Sequence, residues 1–170
     1  MSISTRGYKT FDHTADIGLE IWGETFNAVF EEAGKALFSL IVESGEIVPR
    51  ETFAIELSAE SGEELFLKWL KELLYVFETK KMVLSEFNIL NLEPCPSVTI
   101  ESGNEDAGAV MTTNKFSSVS HGWVLVAKVG GERLDPAIHA LGKEVKAITH
   151  HLYEFKKTNN SFQARVILDI

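Results

Sequence analysis

Apolar and polar positions repeat with two different periods along this chain. Leu19 and Ile21 alternate with Glu20 and Trp22 over residues 18–22, a period of two that predicts a strand, with residues 8–11 as its hairpin partner. From Thr25, a residue type suited to capping a helix, the spacing changes. Phe26, Val29, Phe30, Ala33, Leu37, Leu40 and Ile41 fall on one face of a predicted helix. Phe53, Ile55 and Leu57 return to period two and predict another strand. Ser61 and Glu64 then read as a capping box, in which the serine oxygen accepts from the Glu64 amide and the Glu64 carboxylate reaches back to the cap. The helix they start, residues 62–78, carries Leu65, Phe66, Trp69, Leu70, Leu73, Val76 and Phe77, an apolar face wide enough to cover a sheet. Strand-like runs follow at 83–90, 123–129, 145–155 and 162–170. Asn159 and Asn160 are expected to turn the chain between the last two, and Gly130-Gly131 reads as a hairpin turn between Val129 and Arg133.

The order βαβα followed by strands predicts one α+β domain over residues 1–170, with two helices packed on a mainly antiparallel β-sheet. Between residues 91 and 122 the periodicity gives way to Ser, Thr, Asn, Gly and Pro, which predicts a long loop or hairpin insertion within the domain. Residues 98–100 and 109–111 are the segments able to pair there.

Composition narrows the function. Hydrophobic residues make up 45% and charged residues 24%, values of an ordinary globular chain that argue against disorder and coiled coil. Sixteen basic residues stand against 25 acidic ones, a net charge of −9, so no chain-wide field attracts a phosphate backbone and autonomous nucleic-acid binding is disfavoured. The single cysteine, Cys95, excludes an internal disulfide and a cysteine-rich zinc site. Between Pro94 and Pro96 it reads as an incidental loop cysteine. No run reaches 18 apolar residues and the start has no apolar signal core, so a cytoplasmic, intracellular location without membrane association is expected.

Candidate chemistry gathers at residues 12–16 (Asp-His-Thr-Ala-Asp), at 144–151, and at the end, Asp169-Ile170. No serine lies in a Gly-x-Ser-x-Gly elbow and no glycine-rich loop matches a phosphate cradle. His150 and His151 are neighbours in a predicted strand, so they point to opposite faces and cannot chelate one ion together. His13, Asp16 and His151 could imitate a zinc hydrolase, although no helical His-x-x-x-His pair supports it. A histidine hydrogen-bonded in a strand or loop is the ordinary alternative for each. Asp12 and Asp16 are equally readable as turn or cap residues. Asp169 stands apart, because Ile170 supplies a further α-carboxylate one residue on, and two carboxylates at a strand end joined by a loop aspartate suit a hard cation.

Four segments together resemble the archease family: DHTADIGLEIWGETFNAVFEEA (12–33), LFLKWLKELLYVFET (65–79), GERLDPAIHALGKEVKAITHH (131–151) and ARVILDI (164–170). The resemblance leaves out the 91–122 insertion, which is longer than the family norm, and His150 departs from the tyrosine commoner there. It implies an accessory protein, not catalytic alone, that activates an RtcB-type RNA ligase in tRNA splicing and RNA repair. In that scheme the ligase uses GTP and a metal to guanylylate its own histidine, the accessory protein promotes this step and multiple turnover, and RNA is met only through the ligase. Carried over by position, the metal-binding residues are Asp16, Asp169 and Ile170, the functional lysine is Lys146, and Asp12, His13 and His151 are secondary candidates. Oxygen-only ligands favour Ca²⁺, Mg²⁺ or Mn²⁺ over zinc. Two readings from other classes stand beside this one: a metal-dependent hydrolase using Asp16, His13 and His151, and a general protein-binding or chaperone module.

Overall fold

The computed structural model describes residues 5–95 and 122–170. Its elements run β1 (Gly7–His13), β2 (Asp16–Gly23), α1 (Phe26–Ile41), β3 (Val42–Ser44), β4 (Glu51–Ala59), α2 (Gly62–Lys80), β5 (Met82–Cys95), β6 (Gly122–Arg133), β7 (Ala140–Leu141), β8 (Ala147–Lys157) and β9 (Phe162–Asp169). Every strand pair among them is antiparallel. The expected α+β class is present, and the strands divide among a four-stranded sheet β1-β2-β9-β8, a three-stranded sheet β4-β6-β5 and the ribbon β3-β7. Period-two patterning identifies the buried face of a strand but not its neighbour, so this division could not be read in advance.

Both helices touch both larger sheets, α1 against β2 and β5, α2 against β4 and β8. This is why α1 buries far more than one stripe, including Val29, Phe30, Ala33, Ala36, Leu37, Phe38 and Ile41. Trp69 of α2 has no exposed surface, and its indole nitrogen donates to the Phe30 carbonyl at 2.9 Å, joining the helices at the centre of the core. Both helix starts follow the sequence. Thr25 Oγ1 accepts from the Ala28 amide and Ser61 Oγ from the Glu64 amide, each at 3.1 Å. The Glu64 carboxylate accepts instead from the Glu60 amide, one residue before the cap, at 3.1 Å. That bond, with Lys68 beside it, holds the Glu64 carboxyl below its ordinary range.

Three expectations need correction. Gly130 and Gly131 are not a turn but lie within the central strand β6, where Gly131 faces Glu51 on one side and Leu84 on the other. A Cβ at Gly131 would sit 2.0 Å from the Val83 carbonyl oxygen, so glycine serves the close approach of β5. Residues 91–95 are not patternless loop but the end of β5, with Asn91 opposite Val126 and Cys95 opposite Gly122. The register shifts after Leu84 and after Ile89, which breaks the alternation, and Pro94 is tolerated because β5 is an edge strand. Cys95 is therefore a half-buried strand residue. Residues 98–100 and 109–111, the expected hairpin of the insertion, lie outside the described residues.

Candidate functional site

The strand register gathers most of the candidates at one end of the four-stranded sheet. His13 pairs with Asp16 across the two-residue turn Thr14-Ala15, Ile17 pairs with Leu168, and Ala147 pairs with Asp169. One further step of the β2–β9 register sets Asp16 beside Asp169. Paired residues share a face, and Ile17 and Leu168 point into the core, so His13, Asp16 and Asp169 belong to the outer face. Asp12 pairs with Ile17 and so has the opposite parity, which separates it from Asp16. Placing the two aspartates in one cluster is corrected by that alternation.

Lys146 precedes β8 and is exposed. Its amide donates to the Asp169 carbonyl at 2.8 Å, and its ammonium donates to the Ile170 oxygen at 3.3 Å. Asp16, Asp169 and Ile170, the oxygen-bearing residues expected to serve a cation, thus come to one strand end, with Lys146 on an Ile170 oxygen. Among the described residues, no three His, Cys, Asp or Glu side chains lie close enough to hold a metal ion.

The histidines separate as their adjacency in the strand requires. His150 faces α2, with the Lys71 ammonium 3.1 Å from its Nε2. His151 packs edge-on against His13, ring centroids 5.5 Å apart. His13 Nδ1 is sequestered without a hydrogen-bond partner, 4.0 Å from Asp16 Oδ2. His13, Asp16 and His151 are neighbours, as the hydrolase reading requires, but they do not close into a ligand triad.

Lys146 is reached through a strap, residues 134–146, whose path over the end of α1 the sequence periodicity did not predict. It leaves β6 at Leu134, whose amide donates to the Lys81 carbonyl at 2.7 Å. It turns at Asp135, which accepts from the Ala137 amide through its side chain and from the Ile138 and His139 amides through its carbonyl. It then covers the end of α1, where the Gly142 and Lys143 amides donate to the Ile41 and Leu40 carbonyls, groups that a helix C-terminus leaves unpaired. Its latch is His139, 2% exposed. His139 Nδ1 accepts from the Asp135 amide at 3.0 Å, which leaves Nε2 as the donor toward Glu132 Oε1 at 3.3 Å. Glu132 also accepts from the Val48 amide at 2.7 Å and from Arg50 Nε at 2.9 Å.

The bonds from Val48 and then Arg50 favour the ionised form and hold the Glu132 carboxyl below its ordinary 4.5. A depressed folded pKa means that its stabilisation is complete above 4.5 and disappears as pH falls through the lower, folded value. Wild type should therefore exceed Glu132→Gln in urea midpoint at pH 7, and the gap should shrink as pH drops below 4.5. A gap constant from pH 7 to pH 3 would show that the charge of Glu132 carries none of it.

Two backbone features also escaped the sequence. Thr14, at the tip of the β1–β2 turn, and Leu152, in β8, both have φ of +52°. The left-handed region is costly for residues carrying a Cβ, so neither a threonine nor a leucine advertises it. A tight turn in which His13 and Asp16 pair directly, with no glycine between them, was the available signal for Thr14. Leu152 offered none.

The comparisons with known proteins agree with this architecture. The archease protein family matches residues 8–170. The archease of Methanosarcina barkeri is 31% identical over the full length of both chains. That of Pyrococcus abyssi is 29% identical over 96% of this chain and 98% of its own. The solution structure of Methanobacterium thermoautotrophicum protein 1598 superposes with a TM-score of 0.71 at 27% identity, covering 96% of this chain and 99% of that one. The crystal structure of a Thermotoga maritima archease, described as a possible chaperone, shares the fold with a TM-score of 0.54 at 21% identity, over 95% and 96% of the two chains. A match running from the first strand to Ile170, at family, sequence and fold level alike, leaves one assignment: the chain belongs to the archease family.

Proposed function

We propose that this protein is an accessory factor of an RtcB-type RNA ligase, promoting the metal-dependent guanylylation of the ligase and its multiple turnover without joining RNA itself. The observation that carries the reading is the convergence of Asp16, Lys146, Asp169 and Ile170 at one sheet end of an archease chain. Asp16, Asp169 and the Ile170 carboxylate would hold a Ca²⁺, Mg²⁺ or Mn²⁺ ion, and their all-oxygen donor set fits hard cations. Such an ion would supply a concentrated positive charge for contacts with phosphate or carboxylate oxygens. Lys146 adds a second cation at the same end, exposed to a docked partner. The net charge of −9 suits an approach to a basic, RNA-handling enzyme rather than to RNA.

Guanylylation of the ligase with GTP and metal, followed with and without this protein, tests the reading. The expected result is faster formation of the guanylylated ligase and more RNA joined per ligase, with no joining or nucleotide hydrolysis by this protein alone. Ligase turnover that stays flat across a titration of the protein would reject it.

A further inference from the structure

The outer face of the four-stranded sheet carries a second polar cluster, about 13 Å along the strands from Asp16 and Asp169. The register sets Lys9, Glu20, Arg165 and Glu154 side by side in one row across all four strands. The neighbouring row brings Trp22, Gln163 and Lys156 onto the same face. Together they line a cavity of about 380 Å³, a volume within the range of small-molecule sites.

Two of the three cations are matched by carboxylates. Lys9 holds Glu20 at 2.7 Å and Lys156 holds Glu154 at 2.9 Å. Arg165 is not matched in this way. Its guanidinium rests on the Phe11 ring, 4.4 Å from the centroid, and the Glu20 oxygen beside it is 3.8 Å from Nε, too far for a hydrogen bond. That Nε is sequestered and has no acceptor among the described residues. Three cations against two carboxylates leave the lining with one positive charge, a local sign opposite to that of the whole chain. Cross-strand ion pairs on a solvated face account for the lysines and glutamates. They do not account for an arginine held off its carboxylates. Nor do they account for a half-buried tryptophan laid over Gly7, where a Cβ would come within 3.1 Å of the indole.

We propose that this cavity binds a nucleotide. The phosphate takes the charge of Arg165, flanked by the two lysines, and the base lies against the Trp22 indole with the Gln163 carboxamide at its edge. Glu20 and Glu154 accept from the ribose hydroxyls. The glutamates decide the class of ligand. An aromatic carboxylate would use the arginine and the indole but bring no donors to these two acceptors, whereas a ribose supplies them. The nucleotide is either free or one unit of an RNA strand, since both present the same phosphate, ribose and base. The cavity is separate from the sheet end that holds Asp16 and Asp169, and its assignment does not rest on the ligase reading.

NMR titration of the ¹⁵N-labelled full chain, with AMP as the probe and no metal added, tests the site. AMP should shift the Trp22 indole N–H and the Arg165 Nε–H along one saturable curve and leave the indole N–H of the enclosed Trp69 in place. Adenosine and inorganic phosphate should each bind at least about tenfold more weakly than AMP, because each keeps only part of the contacts. Arg165→Lys keeps the charge but loses the planar fork, so it should weaken AMP about tenfold while melting within a few degrees of wild type. The dinucleotide ApA identifies the source: binding tighter than AMP assigns the cavity to an RNA strand, and weaker binding assigns it to a free nucleotide. Inorganic phosphate that binds as tightly as AMP would make this an adventitious ion only and overturn the proposal. Absence of a saturable shift with AMP in the wild-type chain, or unchanged AMP affinity in Arg165→Lys, would overturn it as well, and each of these results leaves the ligase reading standing.

Discussion

Trp69→Ala should lower the melting temperature by about 6–20 °C, the largest loss expected from any single core truncation here. Trp69 is fully enclosed between Phe30, Phe87 and the facing elements, and its indole bridges the two helices. Truncating a buried tryptophan costs about 3–5 kcal/mol through lost transfer energy and the cavity left behind. A chain of this length loses about 2–4 °C per kcal/mol. Trp69→Phe separates the two contributions. It fills most of the volume and leaves the Phe30 carbonyl its partner within α1, so it should cost only about 1–2 kcal/mol. Against a total stability of about 5–15 kcal/mol, the alanine variant approaches the limit of folding and the phenylalanine variant does not. Urea and thermal unfolding measure both. A loss below about 1 kcal/mol in Trp69→Ala would mean that the helix layer can collapse onto the gap.

The helices were legible in the sequence because their signals are local. Thr25 and Ser61 cap where the hydroxyl spacing said they would, and the apolar faces of α1 and α2 meet the core as their periodicity required. The strands were legible where one face is buried and the register unbroken, as in β2 and β4. They were not where local signals compete. Gly130-Gly131 has the composition of a turn, yet it serves a close strand approach that only the fold creates. Pro94 and two bulges disguised the end of β5. Asp12 and Asp16 look like one cluster in the sequence, but the antiparallel turn places them on opposite faces. The nearness of Asp16, Lys146, Asp169 and Ile170 was implied only by family resemblance, since three strands must pair before their ends coincide. The Glu132–His139 latch was invisible for a related reason. A histidine in a loop carries no mark of burial, and its partner sits on a strand that approaches it only after the strap has turned.

That same sheet end gives the sharpest test. Asp16→Asn and Asp169→Asn should each lower affinity for Ca²⁺ or Mn²⁺ at least tenfold, and a short Gly-Ser extension after Ile170 should do likewise by converting its carboxylate to a neutral peptide. Without metal, the melting temperature of the two asparagine variants should equal or slightly exceed that of wild type, because neutralising one of several neighbouring carboxylates relieves repulsion. With metal the order should reverse. An ion present at about 100 times its dissociation constant adds about 2.7 kcal/mol to wild type and close to nothing to a variant that has lost the site. Lys146 supplies a change of the other sign. Its ammonium stands 3.3 Å from the Ile170 oxygen and so competes with a dication for that ligand. Lys146→Met should therefore bind metal as tightly as wild type or more tightly, while losing ligase activation if the lysine acts on the docked partner. Tight metal binding with activation lost would assign Lys146 to the partner rather than to the ion, whereas weakened metal binding would make it a structural support of the chain end. Calorimetric titration of the cation into wild type, the extended chain and the three substituted proteins decides among these outcomes, and equal affinity in wild type, Asp16→Asn and the extended chain rejects the site.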